Sequence, residues 1–143
     1  MPRAGQKVDE SLMVFYAARL ASFRKWPFAD GPCRAERMAT AGWYHMPTKK
    51  CPDGVKCYFC LKELDGWEEE DDPWVEHKNH SSQCPFAQAQ KEEKDLTVAD
   101  YIQFEHFRLA RIATKANEER RENYEKRAKS AREQLLAMKE GTK

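Results

Sequence analysis

The spacing Cys57-x2-Cys60-x16-His77-x6-Cys84 constrains this chain more than any other feature. A two-residue gap lets two sulfurs approach one ion from a single turn. A helical His77 and a later Cys84 can complete a tetrahedron with no position left for water. Three thiolates and an imidazole in a closed set describe structural zinc. A redox pair at Cys57 and Cys60 is the rival reading; it wants a strand-to-helix context and leaves His77 and Cys84 without a role. The remaining cysteines, Cys33 and Cys51, lack ligand spacing and read as ordinary thiols. His45 reads as a packed histidine and His106 as an exposed one.

The chain also holds a strong charge asymmetry. Between Lys62 and Glu76 lie Glu63, Asp65, Glu68, Glu69, Glu70, Asp71, Asp72 and Glu76, with Lys62 the only base. From Val98 to Lys143, eleven basic residues face eight acidic ones. The net charge of +1 hides both regions. An extended cationic partner suits the first and an acidic surface the second, although acidic runs also occur as solvated loops. With 143 residues, the chain has room for one compact domain or a small domain with one long appendage. No apolar run is long enough to span a bilayer. The amino terminus breaks its short apolar patch with Arg19 and carries no cleavage pattern, so an intracellular protein with reduced thiols is expected. No Ser/His/Asp set, phosphate-cradling glycine loop or open metal position is present, which argues against an enzyme.

Local patterns place the elements. Residues 11–23 read as one amphipathic helix with Ser11 as N-cap, ended at Trp26-Pro27. Residues 34–42 read as a second short helix with Gly42 in the left-handed terminal position. WYHM, VKCYFCL and KELDGW read as short strands or turns. Asp72-Pro73 opens a third helix, with Asp72 as N-cap and Pro73 at its first position. After Leu96 the character changes. Thr97 caps a run with apolar residues at Val98, Ile102, Leu109, Ile112 and Ala116, then Tyr124, Ala128, Ala131, Leu135 and Met138. The steps are mostly three and four, and residues 117–123 interrupt the seam. Some forty helical residues would be roughly 60 Å long, too long to fold back on so small a core, so the seam needs partners from another chain.

Several motifs together resemble a baculoviral inhibitor-of-apoptosis repeat, the BIR family, over about residues 15–88. They are Arg19-x2-Ser22-Phe23, Trp26-Pro27, Met38-Ala39-x-Ala41-Gly42, Asp53-x-Val55-x-Cys57-Tyr58-Phe59-Cys60, Trp67, and Asp71-Asp72-Pro73-Trp74-x-Glu76-His77-x6-Cys84. One repeat followed by a long helix resembles the single-repeat members. The resemblance implies an α+β fold: a small zinc-binding BIR domain, with a short three-stranded antiparallel sheet and short helices, followed by one long C-terminal α-helix. The expected partition is an N-terminal segment 1–14, the repeat 15–89, a linker 90–97, the helix 98–140 and a tail 141–143. One Zn2+ is expected on Cys57, Cys60, His77 and Cys84. No second cysteine–histidine cluster follows, so the ubiquitin-ligase RING of larger relatives is absent.

The family's repeat binds a free amino terminus that begins with alanine, laid along the sheet as an extra strand. Carried onto this chain, Asp65 and Asp71 would accept the terminal ammonium and Trp67 would wall the alanine methyl. The backbone of Lys62, Glu63 and Leu64 would pair with the peptide. The single-repeat resemblance further implies a histone tail beginning Ala-Arg-phosphoThr, with Lys62 and His80 facing the phosphate. Shugoshin-like or pro-apoptotic amino-terminal alanine motifs are further expected ligands. The helix, through Val98, Tyr101, Ile102, Leu109, Ile112 and Ala116, is expected to join helices of borealin and the inner centromere protein. That would place an Aurora-type kinase in the same complex and the protein in the nucleus, on chromosomes at the centromere, at the spindle midzone and in the cytoplasm. The competing expectation is an apoptosis inhibitor that binds caspases. Three departures from the family stand out. Glu93 replaces an apolar dimer-contact residue, which bears on homodimerisation. Arg34-Ala35 replaces a proline-directed phosphorylation site. Cys51 replaces a glutamate beside the groove.

Overall fold

The structure, a computed structural model, describes residues 9–142. Of the expected N-terminal segment 1–14 and tail 141–143, residues 1–8 and Lys143 lie outside the described residues. The chain divides into two compact units, one through Arg108 and one from Leu109.

The first unit opens with a short 3-10 helix, Glu10–Val14, capped by Asp9, whose carboxylate accepts from Ser11 N. Helix α1 follows at Tyr16–Ser22. The single helix expected over 11–23 is thus two helices, broken at Phe15, which is extended (φ −94°, ψ 135°). Asp9, not Ser11, is the cap. The physical reason is Arg19. The break frees the carbonyls of Met13 and Val14, and Arg19 Nη1 donates to both, at 3.0 and 2.9 Å. The helix also stops at Ser22, earlier than Trp26-Pro27. Ser22 Oγ donates to Arg19 O at 2.5 Å and accepts from His45 N at 2.8 Å, which ties the helix end to the sheet.

Helix α2 is Ala35–Thr40. Gly42 just beyond it has φ +91°, as expected of a left-handed terminus, and a Cβ there would lie 2.8 Å from the Phe86 ring. Strands β1 (Trp43–His45), β2 (Val55–Cys57) and β3 (Glu63–Leu64) form an antiparallel sheet in that order. Trp43 pairs with Cys57, His45 with Val55, and Val55 with Leu64. Of the KELDGW stretch only Glu63 and Leu64 are strand. Leu61 takes φ +63° to close the turn out of the two cysteines, and Gly66 takes φ +73°. These two left-handed residues leave no room for a longer run.

Helix α3 is Pro73–His80, with Asp72 accepting from Trp74 N and Val75 N. Arg37 from α2 pairs with the second oxygen of Asp72 at 3.0 Å. Helix α4 is Pro85–Ala89. The core packs between sheet and helices around Met38, Trp43, Val55, Phe59 and Phe86, all almost fully buried. His45 is buried too, stacked on Phe23, and His106 is exposed.

Residues 90–97 are not a free linker. Glu93–Asp95 form a 3-10 helix, and the Glu93 carboxylate accepts from Tyr16 N at 2.6 Å. Lys91 pairs with Asp100 at 3.0 Å. Helix α5 runs from Val98 to Glu140. Thr97 Oγ1 accepts from Asp100 N, and Asp100 Oδ2 accepts from Thr97 N, a reciprocal cap. The helix continues through residues 117–123, where the seam was expected to be interrupted. Its first turns belong to the compact unit. Phe104 is 1% exposed, with ring centroids 5.3 Å from Phe59 and 5.5 Å from Phe86. Reading one seam missed this second face; Phe104 and Phe107, three residues apart, were its signal. No helix among the described residues is long and apolar enough to cross a membrane.

Candidate metal centre and peptide edge

The structure gathers Cys57, Cys60, His77 and Cys84 so that one ligand atom from each lies within 4.8 Å of all the others, and all four are buried. Cys57 ends β2, Cys60 closes the turn after it, His77 rides on α3 and Cys84 caps α4. Cys60 Sγ and His77 Nε2 are 3.5 Å apart. The His77 Nδ1–H donates to Ala41 O at 2.7 Å, which fixes the tautomer and leaves the Nε2 lone pair facing the sulfurs. The Trp43 indole packs on the imidazole at 4.4 Å, and its Nε1 donates to Pro73 O at 3.2 Å. Phe59 N donates to Cys57 Sγ at 3.3 Å, a bond that favours the thiolate.

The thiols resist shared ionisation. Burial first, then bonding to Cys60 and Cys84, pushes Cys57 far up. Cys60 falls well below the usual thiol range, through bonds from Cys57 and then Cys84. For Cys84, the bond to Cys57 lowers the pKa, but the bond to Cys60 and burial outweigh it and raise the thiol to about 12. Three thiolates crowd one another in a dry pocket, and a dication makes them tolerable. The donor set, its closure and the preset imidazole fit zinc, and the four residues could hold one ion. Cys33 is buried among apolar residues, its thiol raised to about 12 by burial, and belongs to the core. Sequence reasoning missed the Ala41 carbonyl, because a main-chain acceptor leaves no side-chain signal.

The second candidate site is the outer strand. Among the described residues β3 pairs only with β2. Cys57 N donates to Lys62 O at 2.9 Å, so Lys62 and Leu64 turn their main-chain groups inward. Alternation then turns the N–H and C=O of Glu63 to the open side. The backbone expected to pair from Lys62, Glu63 and Leu64 reduces to Glu63 within the strand. Lys62, Glu63 and Asp65 are exposed and Leu64 is half-buried. A cleft of about 370 Å3 beside this strand is lined by Met46, Thr48, Cys51, Gly54, Val55, Glu63, Leu64 and Asp65. The Asp65 carboxylate beside Cys51 raises its thiol pKa.

Trp67 is mostly buried, edge-on to Trp43 at 5.8 Å, and its indole N–H has no hydrogen-bond partner among the described residues. Trp67 N donates to Asp53 Oδ2 at 2.8 Å, and Glu68 N to Asp71 Oδ2 at 2.8 Å. Asp71 therefore has one oxygen engaged in its own loop. His80 pairs with Glu76 at 3.3 Å on α3. Among the described residues no hydrogen bond or ion pair joins His80 to Lys62. On α5, Val98, Ile102, Leu109 and Ile112 are exposed, and Tyr101 and Ala116 are half-buried.

The described inhibitor-of-apoptosis domain (BIR) matches residues 19–88. The chain is 42% identical over 142 residues to Baculoviral IAP repeat-containing protein 5 of Cavia porcellus, covering 96% of each chain. It is 39% identical over 118 residues to the protein of that name in Mus musculus, covering 82% of this chain and 84% of the relative. To Baculoviral IAP repeat-containing protein 5.2-B of Xenopus laevis it is 44% identical over 125 residues, covering 78% and 80%.

Proposed function

The chain belongs to the BIR family of inhibitor-of-apoptosis domains, resembling its survivin-type members, and on that premise we propose that it is a non-enzymatic reader and scaffold of the chromosomal passenger complex. Its repeat, held by one structural zinc on Cys57, Cys60, His77 and Cys84, takes a histone tail beginning Ala-Arg-phosphoThr. Its α5 seam takes helices of borealin and the inner centromere protein, at centromeres and the spindle midzone, with an Aurora-type kinase joined indirectly.

The open edge of β3, bordered by carboxylates, carries this reading. An extended peptide completes such an edge with main-chain hydrogen bonds, here to Glu63, and a terminal ammonium suits Asp65 and the second oxygen of Asp71. Lys62, exposed beside the strand, and His80, once released from Glu76, supply positive charge for the phosphate. Exposed Val98, Ile102, Leu109 and Ile112 support the helical partnership. Titrating an Ala-Arg-phosphoThr peptide against its unphosphorylated twin tests the reader; equal affinities reject the phosphate site.

The family's description as an inhibitor-of-apoptosis domain favours a second reading, inhibition of apoptosis; caspases or amino-terminal alanine motifs of pro-apoptotic proteins would then be the ligands. The same titration separates the two. Tight, phosphate-independent binding of an alanine-led pro-apoptotic peptide would favour the second.

A further inference from the structure

Arg19 is 2% exposed, and no other lysine, arginine or acidic side chain among the described residues is buried. A buried charge ordinarily demands an opposite charge. Arg19 forms no ion pair among the described residues. Its donors go to main-chain oxygens, Nε to Ala39 O at 2.8 Å and Nη1 to Met13 O and Val14 O.

Two rings and one helix end beside it lead to the metal centre. The guanidinium carbon lies 5.8 Å from the Phe59 ring centroid and 5.7 Å from that of Phe86, and these rings stack on each other at 4.2 Å. Phe59 sits between Cys57 and Cys60, and Phe86 two residues after Cys84. The end of α2 is shared as well: Ala39 O accepts from Arg19, and Ala41 O from His77. Burial lowers the Arg19 pKa, and nearby acidic groups, Cys57 and Glu93 among them, oppose that shift.

A dication on three thiolates and a neutral imidazole leaves one net negative charge in the interior. One buried cation with no ion-pair partner among the described residues thus shares two aromatic walls and one helix end with a buried centre of net negative charge. We propose that Arg19 is the countercharge of this metal centre, a positioning residue that holds the three-thiolate set at high zinc affinity through electrostatics. The proposal rests on the zinc reading, and the Cys84→Ala chain tests that reading separately by its loss of bound zinc.

The experiment measures zinc affinity of the full chain by chelator competition. Arg19→Met keeps the apolar stem and loses the charge; Arg19→Lys keeps the charge and loses the fork. Arg19→Met should weaken zinc binding by about ten- to a hundredfold, the range for a residue beyond the ligands themselves. Arg19→Lys should retain most of it. A chain that folds with Arg19→Lys but not with Arg19→Met supports the proposal equally. In a Cys84→His background the loaded centre is neutral, and the loss from Arg19→Met should shrink towards nothing. Equal losses or equal failure to fold in the Met and Lys variants, or an undiminished loss in the Cys84→His background, would make Arg19 a strut and overturn the proposal.

Discussion

Helix α5 is ordered in two different ways along one continuous run. Through Arg108 it is fixed by packing: Phe104 is buried against Phe59 and Phe86, and the Arg108 guanidinium lies 4.5 Å over the Tyr58 ring. From Leu109 onward Leu109, Ile112, Tyr124, Leu135, Leu136 and Met138 are all exposed. There the helix is held by its own hydrogen bonds and by local pairs such as Arg121–Glu125 at 3.1 Å. The same secondary structure therefore answers to different forces on either side of one residue. A perturbation of the core reaches the first part, and a change in the seam touches only what docks there.

Metal removal should separate the two parts most sharply. Structural zinc contributes roughly 10–16 kcal/mol of apparent folding energy, comparable to or above the net stability of a small domain. A strong chelator or Cys84→Ala should abolish the cooperative unfolding transition of the first unit, followed by near-ultraviolet circular dichroism. Far-ultraviolet helicity should persist in part, from the distal helix. An unchanged thermal transition in metal-free protein would refute the zinc assignment.

Next in size is a contrast within α5. Phe104→Ala should cost about 3–5 kcal/mol in chemical denaturation, since it empties a site between two buried rings. Tyr124→Ala, on the same helix but solvent-exposed, should stay within about 0.5 kcal/mol of the parent. Similar costs for both would erase the boundary at Arg108.

Peptide binding should respond by a smaller amount. Acetylating the amino terminus of an Ala-Arg-Thr peptide removes the ammonium and should weaken binding by at least about 1.5 kcal/mol, as for a charge-assisted hydrogen bond. Asp71→Ala should act in the same direction, although it also removes the acceptor of Glu68 N. Calorimetry showing equal affinity for free and acetylated peptides would remove the basis for the site.

The smallest effect on the fold belongs to the seam. Replacing Leu109 and Ile112 together by Glu should leave zinc content, peptide affinity and the unfolding midpoint of the first unit unchanged. It should nonetheless abolish co-purification with the two partner helices, because charges on a docking seam remain unpaired. Normal stoichiometry with both helices in this double variant would end the scaffold reading.

Much of the repeat was legible before any coordinates. The Cys57-x2-Cys60-x16-His77-x6-Cys84 spacing named the four residues that converge, because ligand chemistry ties residue type to position. Asp72-Pro73, Thr97 and Gly42 marked helix ends, because caps and left-handed termini are local events. The peptide edge was legible in composition but not in register. Which of Lys62, Glu63 and Leu64 turns outward depends on the bond from Cys57 N to Lys62 O, a contact with another strand.

By itself, then, the sequence determined what short-range chemistry can encode: the metal donors, the caps, the acidic border and a long amphipathic helix. Tertiary structure alone decided the break at Phe15, the burial of Arg19 and the inward face of α5. The burial of Arg19 and that of Phe104 join residues far apart in the chain, and the break at Phe15 serves the first of them. Arg19 draws out the carbonyls of Met13 and Val14 while it also binds Ala39 O. Phe104 is interior only because Phe59 and Phe86 meet it there. A local pattern states what a residue can do; which partner satisfies it is set when burial leaves one arrangement with its polar groups paired and its rings packed.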